Sequence, residues 1–113
     1  MTTTDPALDR LVRRIVERAD PVAIHLFGSR ATGEADEESD YDLLVVLDDD
    51  FPKGQATPSF ARSLVAGSDV PVDIIVVRAG TFARRSRQVG TLSYEARHHG
   101  VVVHERDRRT RLA

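Results

Sequence analysis

A glycine–serine pair and three aspartates are the residues of this chain best suited to chemistry. Gly28 and Ser29 close one apolar run, and Asp40 and Asp42 stand just before the next. Side chains two positions apart on a β-strand point to the same face. We therefore expect two carboxylates on one face at the start of a buried strand, facing a turn of small residues.

Asp73 is the third candidate, because it interrupts the apolar run VDIIVV. A carboxylate in such a run is costly to bury unless it is paired or bound to metal. If its strand neighbours the one after Asp42, the three acids converge, and their like charges repel unless a cation is bound. Carboxylate ligands without cysteine favour Mg²⁺ or Mn²⁺ over Zn²⁺.

The turn that starts at Gly28 is suited to phosphate. Glycine permits close approach of the backbone, and the first amides of the following turn are free to donate. The Ser29 hydroxyl is a further donor. Arg30 is the nearest cation, although it has an alternative partner in the acidic loop 34–38. A phosphate cradle beside three acids is typical of two-metal phosphoryl transfer, in which Asp73 binds the second ion or takes the proton.

Hydrophobic spacing, caps and turn residues predict the elements that position these groups. The predicted helices span 6–19, 59–66, 81–88 and 91–99, with a short turn at 29–32, and the predicted strands span 22–27, 41–47, 72–77 and 101–104. The connection 29–39 is short for a crossover, so strands one and two are expected to be antiparallel. The order indicates an α/β fold, a small mixed β-sheet with helices packed against it. Strand 41–47, apolar on both faces, is expected to be central.

Length and composition limit the class of protein. The 113 residues are expected to form a single domain, with 105–113 as a mobile tail. The absence of cysteine excludes disulfides, thiolate zinc sites and cysteine nucleophiles. The N-terminus does not resemble a signal peptide, and no apolar run reaches the length of a membrane span. A cytoplasmic protein without a membrane partner is therefore expected.

Charge is unevenly distributed, although the net charge is only −2. Residues 34–50 contain nine acids and no base, which suits divalent cations and disfavours nucleic acid. Residues 84–111 contain eight arginines, either a partner surface or a solvated face. The triplet 48–50 lacks the spacing of a calcium loop and is interpreted as a solvated strand end. His25 is interpreted as a core histidine rather than a ligand.

The segment GSRATGEADEESDYDLLVV, followed by the acid in VDIIVV, resembles the DNA polymerase β-like nucleotidyltransferase superfamily. The shared signature is Gly-Ser, a spacer of ten residues here, Asp-x-Asp, and a third acid on a later strand. The small size, Ala31-Thr32-Gly33 and the segment GTLSYEARHHGVVVHE are similar to the minimal nucleotidyltransferases, the MNT antitoxins of HEPN/MNT toxin–antitoxin pairs. The resemblance covers residues 22–105.

This resemblance implies transfer of AMP from ATP to a hydroxyl with release of pyrophosphate. Gly28 and Ser29, with Arg30, would bind the nucleotide. The metal ligands and catalytic residues would be Asp40, Asp42 and Asp73, holding two Mg²⁺ ions or, alternatively, Mn²⁺. The implied acceptor is a tyrosine of a HEPN ribonuclease toxin, in a hetero-oligomer with it. A small-molecule acceptor such as an aminoglycoside, and an antitoxin that only binds, stay open as alternatives.

Overall fold

The computed structural model describes residues 5–36, 39–52 and 54–106. The elements are α1 (Pro6–Ala19), β1 (Ala23–Phe27), α2 (Ser29–Thr32), β2 (Tyr41–Leu47), α3 (Pro58–Leu64), β3 (Val72–Arg78), α4 (Ala79–Arg85), α5 (Leu92–His99) and β4 (Val101–Glu105). The strands form one sheet in the order β3-β2-β1-β4. β1 is antiparallel to β2 and β4, and β2 is parallel to β3. The predicted mixed α/β fold, antiparallel first pair and central β2 are confirmed.

Side-chain caps fix the starts of α1, α3 and α5. The Asp5 carboxylate accepts hydrogen bonds from the backbone amides of Ala7 and Leu8, at 3.1 and 3.2 Å. Thr57 and Thr91 cap α3 and α5 in the same way. These caps satisfy amides that a helix start otherwise leaves unpaired. The predicted bounds of α1 are confirmed, and α5 begins one residue later than predicted because Thr91 is its cap.

The junction between β3 and α4 differs from the prediction. Residues 78–80 were expected to break the strand before a helix at 81–88, but α4 follows β3 directly and ends at Arg85. The reason lies at the end of β2. Asp49 Oδ1 accepts a hydrogen bond from the Gly80 amide at 2.8 Å, and Arg78 donates to the carbonyl oxygens of Asp49 and Phe51. These bonds extend β3 and start α4 at once.

Asp49 and Asp50 are exposed, as predicted for a solvated strand end. The interpretation is wrong in part, because Asp49 also bonds the Gly80 amide. Asp48 also forms an ion pair with Arg106 at 2.7 Å. Because Glu105 belongs to β4 and Arg106 is held by this pair, the prediction of a mobile tail from residue 105 is wrong for these two residues. Residues 107–113, to which the same prediction applies, lie outside the described part of the chain.

Two hydrophobic clusters cover the two faces of the sheet. The larger cluster, on what we call the α1–α3 face, contains Leu8, Leu11, Ile15, Ile24, Leu26, Tyr41, Leu43, Val45, Leu47 and Leu64. The smaller cluster, on the α4–α5 face, contains Ala23, Leu44, Val46 and Ala96, with Phe82 packed against it. Burying apolar surface on both faces is the main favourable term that holds β2 at the centre.

His25 lies on the α4–α5 face and is buried. Its ring centroid is 4.9 Å from that of Phe82. Burial lowers the pKa of His25, against a hydrogen bond with the backbone of Ala96 that raises it. The interpretation of His25 as a core histidine is confirmed. Across the described residues, no helix combines the length and apolar character needed to cross a membrane.

Candidate active site

Asp42 and Asp73 occupy matching positions on two adjacent strands. Each is the second residue of its strand, and the parallel register of β2 and β3 pairs them directly. Neighbouring strands lie about 4.8 Å apart, so the two carboxylates lie close together at the same end of the strands and on the same face of the sheet. Asp40 comes just before β2 and interacts electrostatically with Asp42. The structure thus pairs Asp42 with Asp73 and places Asp40 near Asp42.

The three carboxylates are uncompensated. None of them accepts a hydrogen bond or forms an ion pair with any residue that the structure describes. Burial raises the pKa of Asp42, and the nearby charges of Asp73 and Asp40 raise it further. Asp73 itself is exposed, so the burial cost suggested by its apolar neighbours does not arise. It lies on an edge strand, and its end of the strand is open to solvent.

Gly28 is fitted closely against Asp42. β1 ends at Phe27, which pairs with Asp42, and Gly28 follows with φ +75° and ψ −158°. This backbone region is essentially restricted to glycine. A Cβ atom at Gly28 would lie 2.2 Å from Asp42 Oδ2. Glycine is therefore needed here, because any side chain would collide with the Asp42 carboxylate.

The turn after Gly28 is a single helical turn, α2, as predicted. Ala31 and Thr32 donate backbone hydrogen bonds to the Gly28 carbonyl oxygen. The amides before them belong to the first turn, which a helix does not satisfy internally. Ser29 is half-buried at this position, beside the glycine that contacts Asp42. The structure places Gly28, Ser29 and the acids together.

The Arg30 side chain extends from this turn to the segment before β2. Its Nε donates to the Ser39 carbonyl oxygen at 2.9 Å, and its guanidinium carbon lies 4.1 Å from the centroid of the Tyr41 ring. Asp40 stands between these two contact residues in the chain, so Arg30 positions the segment that carries this acid. Part of the alternative partner, the acidic loop 34–38, lies outside the described residues at 37 and 38.

Sequence reasoning missed the bond between Tyr41 and Asp5. The Tyr41 hydroxyl donates to Asp5 Oδ2 at 2.6 Å and ties the start of α1 to the start of β2. Burial raises the pKa of Tyr41, and this hydrogen bond raises it further. For Asp5, burial raises the pKa, but the bonds from Tyr41 and from the backbone outweigh it and lower the pKa. A buried tyrosine usually finds a partner for its hydroxyl, which was the available signal.

The donor set fits a hard divalent cation. Carboxylate oxygens are ligands that suit Mg²⁺. In their present conformations, no three carboxylate or imidazole side chains of the described residues converge closely enough to hold a metal ion. Asp40 and Asp73 are exposed, and exposed side chains change rotamer on the picosecond to nanosecond timescale. Asp42 is half-buried and lies against Gly28.

Comparison with known families decides the classification. The nucleotidyltransferase domain family matches residues 8–104, nearly the whole chain. The chain belongs to this family. A comparison with curated proteins finds no significant match for the nucleotidyltransferase.

Solved structures share the fold of this nucleotidyltransferase. One is a chain of a toxin–antitoxin complex with AMP-PNP, with a TM-score of 0.57 and 20% identity over 92% of this chain and 78% of that chain. A candidate nucleotidyltransferase from Sulfolobus solfataricus has a TM-score of 0.57 and 22% identity over 94% of this chain and 93% of that chain. A mutant of the toxin–antitoxin complex MntA–HpeT has a TM-score of 0.53 and 19% identity, with coverages of 93% and 76%.

Proposed function

We propose that this nucleotidyltransferase transfers AMP from ATP to a tyrosine hydroxyl of a HEPN ribonuclease toxin and so acts as its antitoxin. The observation that carries the proposal is the pairing of Asp42 with Asp73 beside Gly28. The family match supports nucleotidyl transfer. The occurrence of this fold in toxin–antitoxin complexes, one of them with AMP-PNP, motivates the choice of nucleotide and partner.

The residues divide between phosphate and metal. The amides after Gly28, with the Ser29 hydroxyl, would hold the β- and γ-phosphates. Arg30 is proposed to contribute positive charge to the same turn while it fixes the segment before Asp40. The acids Asp40, Asp42 and Asp73 would hold two Mg²⁺ ions. Such ions lower the pKa of an attacking hydroxyl and neutralise charge that develops on the phosphates.

The reaction is a single displacement at phosphorus. The acceptor oxygen forms a bond to the α-phosphorus of ATP, and the bond from that phosphorus to the bridging oxygen breaks. Pyrophosphate leaves with the bonding electrons. Asp73, exposed at the open end of β3, takes the proton of the acceptor hydroxyl and passes it to water. Because Gly28 lies against Asp42, a phosphate bound at Gly28 would be close to the Asp42 carboxylate.

A purely binding antitoxin is disfavoured by the electrostatics of the site. Its three acids have no described partner, and the pKa of Asp42 is raised by burial and by its acidic neighbours. An idle site would be stabilised by losing one of these charges. The proposed setting is the cytoplasm, where ATP and a ribonuclease toxin are both present. The acidic segment 34–50 disfavours a nucleic-acid substrate.

A labelling experiment tests this function. The purified protein is incubated with labelled ATP, Mg²⁺ and the HEPN protein encoded beside it, and peptides of the HEPN protein are analysed for AMP. We expect label on a tyrosine, with loss of ribonuclease activity. Asp42→Asn should abolish the label, whereas Asp69→Asn, at a surface acid paired with Arg10, should retain it. Neutralisation of the toxin without any label would instead support the antitoxin that only binds. In a parallel incubation with an aminoglycoside, label on the aminoglycoside would support a small-molecule transferase.

A further inference from the structure

The sheet face that carries the candidate acids is incompletely covered. Val77 on β3 packs into the cluster of the α4–α5 face, and Leu44 on β2 belongs to it. Ile75, two residues after Asp73 and therefore on the same face, packs into neither cluster. An apolar strip thus runs along β2 and β3 directly from the acids, in which Leu44 is buried and Ile75, on the edge strand, is partly exposed.

A cavity of about 280 Å³ lies between this strip and the residues at the end of α4 and the start of α5. Leu44, Ile75 and Val77 form its floor, and Arg85 and Leu92 are among its walls. The register pairs Leu44 with Ile75, each two residues beyond an acid. Two residues of a strand span about 6.6 Å, so the cavity adjoins the acidic site. Its volume is below the roughly 300–1,000 Å³ typical of small-molecule sites, which suits one side chain better than a nucleotide.

The geometry of the reaction indicates which substrate reaches this cavity. In phosphoryl transfer the attacking and leaving oxygens are roughly in line across the phosphorus. The proposed triphosphate site is at Gly28, at the end of β1. In the sheet, β2 lies next to β1, and β3 lies beyond β2. Pyrophosphate therefore leaves toward β1, and the acceptor hydroxyl approaches from β3. The cavity lies on that acceptor side.

The walls of the cavity indicate the chemistry of the acceptor. The side chain of Leu92 is about half exposed, at 49%, although it is apolar. The guanidinium of Arg85 makes no hydrogen bond or ion pair with any residue that the structure describes, and Arg84 and Arg87 flank it in the chain. Such a surface matches an apolar side chain with acidic neighbours.

We propose that this cavity docks the acceptor protein, by taking up one apolar or aromatic side chain next to the acceptor tyrosine while Arg85 pairs with an acidic residue beside it. The inference rests on the proposed function and adds the surface that selects the acceptor. It also distinguishes the two substrates, because ATP is bound on the β1 side and the acceptor protein on the β3 side.

Two variants and a matched control test the docking site. Leu92→Asp places an acid on the cavity wall, and Arg85→Glu reverses the charge beside it. Val102→Asp makes the same kind of change at a residue of similar exposure, 43%, on β4 at the other edge of the sheet. The KM for the HEPN protein and the Kd for ATP with Mg²⁺ are measured for each, with circular dichroism as the check on folding.

We expect Leu92→Asp and Arg85→Glu each to raise the KM for the HEPN protein about tenfold or more, with an unchanged Kd for ATP. Arg85→Lys, which keeps the positive charge, should have a KM for the HEPN protein close to that of the wild type. Val102→Asp should match the wild type. An increase in the Kd for ATP with an unchanged KM for the HEPN protein would make the cavity a nucleoside site. Unchanged values in both variants would equally overturn the inference.

Failure of the proposed function has a different signature. If the wild type transfers no AMP, the Kd of its complex with the HEPN protein is measured by calorimetry for the same four variants. A tenfold weakening in Leu92→Asp and Arg85→Glu would then support the docking site while the catalytic proposal fails. Equal affinities, or no complex with the wild type, would overturn the docking site as well.

Discussion

Asp42 and Asp73 stand directly opposite each other on neighbouring parallel strands. Because β1 runs antiparallel to β2, its last residue, Phe27, lies at the same end of the sheet as Asp42, and Gly28 follows it there. Two strand starts and one strand end therefore supply the acids and the turn that we propose binds phosphate. The geometry of the site therefore depends on strand register.

Replacement of Gly28 by alanine should damage both the backbone and the acid. We expect a loss of about 1–3 kcal/mol in the free energy of unfolding, because φ +75° with ψ −158° is unfavourable for alanine. The new Cβ, 2.2 Å from Asp42 Oδ2, should also displace that carboxylate and abolish transfer. Urea unfolding and the labelling assay measure the two effects.

Gly33→Ala is the control for this prediction. Gly33 has a similar φ of +83°, but a Cβ there meets nothing within 4 Å. It should cost about 1–2 kcal/mol of stability with transfer intact. Equal loss of transfer in both variants would mean that backbone strain, rather than contact with Asp42, explains the effect.

Asp42→Asn should stabilise the metal-free protein. The pKa of Asp42 is raised in the fold, so its ionised form opposes folding above the ordinary value of 3.8. Removing the charge should add less than about 1 kcal/mol at pH 7, since solvent screens the site. That is a rise in Tm of up to about 4 °C. The gain should shrink as the pH falls through the folded pKa, where the wild-type carboxyl is already protonated.

Thermal unfolding from pH 7 to pH 4, with and without Mg²⁺, measures this effect. Mg²⁺ should raise the Tm of the wild type more than that of Asp42→Asn. A lower Tm for the variant at pH 7 without Mg²⁺ would contradict the assignment of Asp42 as an uncompensated charge.

Tyr41→Phe should destabilise the fold by about 1–2 kcal/mol, because it removes a hydrogen bond to the ionised Asp5. The pKa of Asp5 is lowered in the fold, so this contribution is present above the ordinary value of 3.8 and is lost as the pH falls through the folded pKa. The difference from the wild type should be constant from pH 7 to pH 5 and then decrease. The Tyr94 hydroxyl makes no hydrogen bond with any described residue. Tyr94→Phe should therefore have the same free energy of unfolding as the wild type at every pH.

Asp73→Asn should lower kcat without lowering stability. Asp73 is exposed and has no described hydrogen-bond or ion-pair partner, so its replacement leaves the fold intact. Loss of the proposed proton acceptor should reduce kcat by roughly 10²–10⁴. Single-turnover labelling with saturating ATP measures the rate. A rate within twofold of the wild type would remove Asp73 from the catalytic set.

Local signals explain what the sequence predicted well. The helix Pro6–Ala19 and the strand Tyr41–Leu47 have their predicted bounds. The helix is defined by the Asp5 cap and by Pro21 beyond its end, and the strand by an uninterrupted apolar run. The period of two along a strand also predicts that Asp40 and Asp42 share one face, but Asp40 lies just before β2, and this stays a prediction.

Contacts between distant segments explain what it missed. The start of α4 depends on Asp49, some thirty residues earlier in the chain, which bonds the Gly80 amide. The bond between Tyr41 and Asp5, and the space that Asp42 leaves only for a glycine, likewise require the folded register. The proposed roles of the site residues in binding ATP and Mg²⁺ stay predictions that the experiments above test.

The parallel pairing of β2 and β3 has a practical consequence for labelling. The chain leaves β2 at the edge of the sheet far from Asp42 and returns through α3 before β3 begins. The exposed turn at Gly54 and Gln55 therefore lies at the opposite end of the strands from the acids. Because the chain contains no cysteine, a single cysteine introduced at Gln55 would carry a fluorophore that reports binding of the proposed partner and leaves the spacing of the carboxylates unchanged.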